Sequence, residues 1–170
     1  MLYMKSLEPA ASDTDMLVIP VCEDAELHDH PLLSSMVARI QKLNEFKGAK
    51  GDEIVLYDPP GAKAHRVIFT GIGPAAEADR EVLRSAAGRV VKQALQKKLR
   101  NIAVVVPSLD LPEIAQEAVI ESLLEGAALA NHRFVAYKTD KDSRPLKRID
   151  LLVPPETARA CGKMSIRVRD

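Results

Sequence analysis

Short apolar runs alternate along the chain with longer stretches in which apolar residues return every three or four positions. The runs are "DMLVIPV" at 15–21, "EIVLY" at 53–57, "RVIFT" at 66–70, "NIAVVVP" at 101–107 and "RIDLLVP" at 148–154. Each is strand-sized and rich in β-branched residues, the signature of a buried strand. "MLYM" at 1–4 supplies a shorter candidate first strand. Helical spacing begins at Pro31, a residue suited to a first helical turn, and carries Leu32, Leu33, Met36, Val37, Ile40 and Leu43. The strongest helix runs from Asp79 to Leu99, with Val82, Leu83, Ala86, Ala87, Val90, Val91, Ala94 and Leu95 on one face. Asp79 is its expected N-cap, and Lys97, Lys98 and Arg100 lie where a helix C-terminus favours cations. A third helix is expected from about Leu111 or Pro112 into "NHRF".

Strands alternating with helices, and strands apolar on both sides, predict an α/β fold in three layers, α/β/α, around a mostly parallel sheet. "EIVLY" and "RVIFT", joined by "DPPGAKAH", predict an antiparallel pair that makes the sheet mixed. Residues 1–153 read as one domain. Residues 154–170 read as the start of a linker or as a C-terminal tail, with an added edge strand as a further reading.

Composition narrows the picture little. The 170 residues suit one domain with a sizeable core, and with aromatics at 4% that core is built from Val, Leu, Ile and Ala. Lys plus Arg equals Asp plus Glu, so net charge argues for neither nucleic acid nor membrane. Cys22 and Cys161 stand in no paired motif, which favours a reduced, cytoplasmic setting over a disulfide. The N-terminus lacks the apolar region of a secretory signal, and no apolar run is long enough to span a membrane.

Four stretches carry candidate chemistry. Gly71-Ile72-Gly73-Pro74-Ala75-Ala76 fits a relaxed dinucleotide fingerprint, G-x-G-x-x-A. Five residues separate Gly73 from the cap at Asp79, and Glu77, Asp79 and Glu81 put negative charge where a pyrophosphate would lie, so the stretch reads as a turn. Glu23, Asp24, Glu26, His28, Asp29 and His30 could supply metal ligands, but read first as a solvated loop. The Asp79 helix bears a basic face on which Arg84, Arg89 and Lys92 form a candidate nucleic-acid patch; no aromatic is interleaved for base stacking, and nucleic acid is not the expected partner. Glu113, Glu117, Glu121 and Glu125 form an acidic stripe, expected to face solvent unless the basic helix lies opposite. Asp140 and Asp142 read as loop charges. No G-x-S-x-G elbow or Cys–His constellation occurs, so no catalytic residue, cofactor ligand or metal ligand is assigned.

The order of the segments then carries a resemblance. "VIFTGIG" leading into a helix with "LRSAAG", followed by "NIAVVVP", "EGAALANHRFVAYKTDK" and "LKRIDLLV", resembles the N-terminal domain of the leucyl (cytosol) aminopeptidase family over about Asp15 to Val153. The resemblance implies a macro-domain-like fold without catalytic residues. It implies a separate catalytic domain holding two divalent metals, zinc or manganese, beside an "NTDAEGRL"-type motif that these 170 residues lack. It further implies the catalytic domain and sister subunits as partners, and a noncatalytic role in subunit assembly. The alternative it raises is a binding module for an ADP-ribose-like ligand or nucleic acid, although no Gly-Gly diphosphate loop is present.

Overall fold

A computed structural model describes residues 2–6, 8–137 and 144–161, with only the backbone of 133–137, 160 and 161. Asp140, Asp142 and residues 162–170 therefore lie outside the described residues. The strands are β1 (Leu2–Lys5), β2 (Met16–Cys22), β3 (Glu53–Tyr57), β4 (Arg66–Gly73), β5 (Asn101–Val105) and β6 (Arg148–Leu152). The α-helices are α1 (Pro31–Gln41), α2 (Arg80–Gln96), α3 (Gln116–Tyr137) and α4 (Pro155–Cys161).

The strands form one sheet in the order β1-β6-β5-β2-β4-β3. Every pairing is parallel except the hairpin of β3 and β4, where Val55 lies opposite Ile68. β2 is buried along its whole length, and its alternation divides the core. Leu17, Ile19 and Val21 join Leu33, Met36 and Ile40 of α1 on one face. Met16, Val18 and Cys22 join Leu83, Val90 and Ala94 of α2 and Val119, Ile120 and Leu123 of α3 on the other. The mixed three-layer α/β architecture is thus the expected one, because a strand covered on both sides has no polar face to show.

Local corrections have physical causes. Helix α1 stops at Gln41, so Leu43 falls beyond it and is 44% exposed. Helix α2 stops at Gln96; Lys97 is its C-cap and Lys98 takes a left-handed φ of 57°. Helix α3 starts at Gln116, later than expected, because a Leu111–Ile114 bridge occupies the preceding residues. Residues 155–161 are helical, and β1 holds the edge beside β6. Asp150 on β6 is buried between Lys5 at 3.3 Å and Arg148 at 2.9 Å, which ties the edge strand to its neighbour. Among the described residues, no helix is long and apolar enough to cross a membrane.

Candidate functional site

The parallel strands all end on one edge of the sheet. There the chain leaves β2 for α1 on one face and leaves β5 for α3 on the other, so the two outgoing loops diverge. Such a switch point opens a crevice at the carboxyl ends of the strands. A cavity of about 380 Å³ occupies it, lined by His28, Asp29 and His30 after β2, Val106 and Ser108 after β5, and Val153 after β6. The two loops are stitched together across it. Ser108 and Leu109 donate their amides to the Leu27 carbonyl at 2.9 and 3.1 Å, and the Asp29 amide donates to Ser108 Oγ at 2.7 Å.

The loop expected to be solvated is therefore partly core. Leu27 and His28 are each only 3% exposed. His28 Nε2 donates to the Pro20 carbonyl at 2.7 Å, since a carbonyl can only accept. Burial pushes the His28 pKa below 6.5, outweighing the Pro20 bond and the nearby Glu26 charge that favour the cation. The ring is neutral and its Nδ1 is an acceptor, buried without a partner. His30 Nε2 meets Glu8 Oε2 at 2.8 Å, and its Nδ1 is likewise buried and unpartnered. Among the described residues, no group of three His, Cys, Asp or Glu side chains is placed to hold a metal. Cys22 is buried, and burial followed by Asp24 and Glu23 pushes its thiol up to about 12, far from a nucleophile's range.

The glycine stretch belongs to strand β4 and not to a loop open to ligand. The Gly71 amide donates to the Asp52 carbonyl at 2.8 Å and the Gly73 amide to the Gly48 carbonyl at 2.9 Å. A side chain at Gly71 would place its Cβ 2.0 Å from the Ala49 carbonyl oxygen, and Gly73 has a φ of 81° beneath Lys50. These glycines admit the 48–52 loop against the strand end; they turn the chain less than they make room for it. Beyond them the Asp24 carboxylate accepts the Ala75 amide at 2.8 Å, at the start of a 3-10 turn over Ala75–Glu77.

The basic patch is dispersed by intramolecular pairing. Arg84 Nε lies 2.6 Å from Glu125, and a second nitrogen 3.6 Å from Glu81. Arg89 reaches Glu53 at 3.4 Å and the Gly71 carbonyl at 3.4 Å. Lys92 is exposed. The acidic stripe supplies part of this pairing. Glu121 meets Arg80 at 3.1 Å and Glu125 meets Arg84, so the basic helix is its partner within the fold. Glu117 remains exposed, and Glu113 precedes α3. The stripe does face solvent, with Glu113, Glu117 and Glu125 exposed and Glu121 half-buried, while its last two members also pair with the basic row across the α2–α3 packing. The unpartnered acceptors at the crevice are what sequence reasoning missed. The "HDH" triplet marked the place, but burial of His28 needs the β5 loop folded over it.

The profile of the cytosol aminopeptidase family, N-terminal domain, matches residues 18–141. A probable cytosol aminopeptidase from Desulfotalea psychrophila is 28% identical over 167 residues, covering 91% of this chain and 33% of the relative. The chain thus spans about a third of that relative's length. Among solved structures, a tomato leucine aminopeptidase variant superposes with a TM-score of 0.69 at 19% identity, over 96% of this chain and 35% of its own. A macrodomain from Oceanobacillus iheyensis superposes with a TM-score of 0.66 at 12% identity, over 97% of this chain and 90% of its own. At these identities the two structures establish the macro-like fold alone.

Proposed function

The chain belongs to the cytosol aminopeptidase family as its N-terminal domain, and from that membership we propose that it is a noncatalytic accessory domain of a metal-dependent leucyl aminopeptidase that serves subunit assembly. The parent reaction on this reading is release of N-terminal amino acids from peptides in the cytoplasm. The catalytic domain and sister subunits are the partners, and two divalent ions, zinc or manganese, belong to that other domain. The observation that carries the reading is the family match over residues 18–141, in a chain that spans 33% of a relative named as an aminopeptidase.

Chemistry supports the same division of labour. Two-metal hydrolysis needs carboxylates that hold both ions about 3.5–4 Å apart to activate water and stabilise the developing oxyanion. Several of the described carboxylates are engaged elsewhere: Asp79 accepts the Val82 amide, Asp15 accepts the amides of Arg100 and Asn101, and Glu121 and Glu125 pair with arginines. The test is leucine p-nitroanilide hydrolysis by the 170-residue chain with added zinc or manganese. The expected outcome is no turnover above blank. Metal-dependent turnover that disappears on His28→Ala or His30→Ala overturns the accessory reading. Assembly is tested separately, by removing this domain from the full-length enzyme and measuring sedimentation; an unchanged oligomer defeats the assembly role.

A further inference from the structure

We propose that the outer face of the α2–α3 pair is a two-fold interface that takes a second copy of this chain, with α2 antiparallel to its symmetry mate. The first support is the stripe that α2 turns away from the sheet. Glu81, Ser85 and Lys92 are exposed on it and Gly88 is half-buried. Positions 81, 85, 88 and 92 return at helical spacing, so Glu81 and Lys92 lie about three turns apart on one line. Ser85 and Gly88 stand between them, equally far from the middle of that line. A second helix reversed about this middle sets Glu81 against Lys92 of the other copy at both ends, and Ser85 against Gly88 at the centre. Two small residues there let the helix axes come close. A two-fold contact requires such self-complementarity, since one surface serves as both partners.

The second support is charge. Arg80 lies 3.1 Å from Glu121 and Arg84 2.6 Å from Glu125, in step along both helices, so α2 and α3 point the same way. The exposed acids Glu81, Glu113 and Glu117 gather at the end where both helices begin, and the exposed Lys92, Lys97 and Lys98 gather where α2 stops. Arg84 and Arg89 are held by Glu125 and Glu53, while those three lysines enter no ion pair among the described residues. Glu81 has Arg84 at 3.6 Å, yet its side chain is 76% exposed. A uniformly acidic or basic partner would meet like charge at one end; a reversed copy of the same face meets opposite charge at both. The third support is the middle. Leu129 is 52% exposed on α3. A Cβ added at Gly88 would lie 3.9 Å from that of Ala130, so Leu129 stands level with the centre of the α2 stripe. With Ala128, Ser85 and Gly88 it lines a shallow groove of about 960 Å³. An apolar centre between charged ends is the composition of a protein interface.

This face gives the assembly reading its surface and rests on that reading. The experiment is sedimentation velocity of the 170-residue chain from about 1 μM to about 300 μM. A dimer with a dissociation constant of about 10–100 μM is expected, as suits a small interface, and it weakens in high salt. Leu129→Asp changes an exposed side chain and is expected to leave only monomer at the highest concentration. Glu81→Lys and Lys92→Glu are each expected to weaken the dimer about tenfold, because each sets like charges against one another at both ends. Mixed one to one, these two variants regain attraction at both ends and should pair with each other at least about tenfold more tightly than either pairs with itself. A variant that had merely lost its fold would show no such recovery. The proposal is overturned if the native chain stays monomeric at the highest concentration, if Leu129→Asp dimerises as well as the native chain, or if the mixture is no tighter than the single variants. A monomeric chain defeats this face alone, whereas an unchanged oligomer on removing the domain from the full-length enzyme defeats the assembly role.

Discussion

At the scale of single residues, His28 shows how one buried group ties stability to pH. Its folded pKa is depressed below 6.5, so above that value both folded and unfolded states hold the ring neutral. As the pH falls below 6.5 the unfolded chain takes up a proton that the native state refuses. Stability is therefore complete above that value and declines as the pH falls toward the folded pKa, by up to about 1.4 kcal/mol per pH unit. Urea midpoints for the native chain and His28→Gln, at pH 8 and pH 5, should show a smaller acid loss in the variant; equal losses would place the titration elsewhere. Lys98 carries a different strain. Its φ of 57° ends α2, while its amide bonds Leu95 and the Leu99 amide bonds Ala94 at 2.9 Å, a left-handed cap that glycine fills without a Cβ clash. Lys98→Gly is expected to stabilise the chain by about 0.5–1 kcal/mol, read as a raised urea midpoint; a lowered midpoint would show that the lysine makes a compensating contact.

Between elements, the packing of α2 on α3 explains both charged stripes at once. Gly126 sits so close to α2 that an added Cβ would come within 2.3 Å of the Arg84 carbonyl oxygen. That proximity brings Arg80 to Glu121 and Arg84 to Glu125 across a 41-residue separation. Both partners of the Arg84–Glu125 pair are more than a third exposed, so solvent screens it despite its 2.6 Å length. A double-mutant cycle with Arg84→Ala and Glu125→Ala should give a coupling below about 1 kcal/mol that falls further in 1 M salt. A salt-independent coupling of several kcal/mol would mean that the pair acts as a buried bridge. The helices themselves were legible, because their apolar faces repeat at helical spacing. That the two charged faces meet was not, since no local pattern encodes which helices become neighbours.

For the whole molecule, the pairing of charges bears on nucleic acid. A patch binds phosphates by releasing counterions, and it needs cations that are not already neutralised. Arg84 and Arg89 lie against Glu125 and Glu53, and of the three candidate residues only Lys92 enters no ion pair among the described residues. The chain as a whole is neutral. A gel shift with a short DNA duplex should be absent at about 150 mM salt, and Lys92→Glu should change nothing there. A shift that persists at that salt and is lost in Lys92→Glu would show that the helix face meets DNA regardless of its internal pairs.

The order and type of the elements from β1 to β6, the antiparallel hairpin and the family resemblance were all present in the sequence. They depend on periodicity and on residue types at short range, and "DMLVIPV" or "LRSAAGRVVKQAL" carry that information wherever they stand. The Asp79 cap was legible for the same reason: its carboxylate reaches an amide three residues on. Tertiary structure alone decided the rest. Gly71 and Gly73 fit a relaxed fingerprint but read as a turn in one dimension, and the room they make appears only when the 48–52 loop lies against them. His28 looks like a solvated loop residue until the β5 loop closes over Leu27 and bonds its carbonyl. In each case the deciding contact joins residues about 20 to 80 positions apart, so it exists only after strands have paired and helices have taken a face of the sheet.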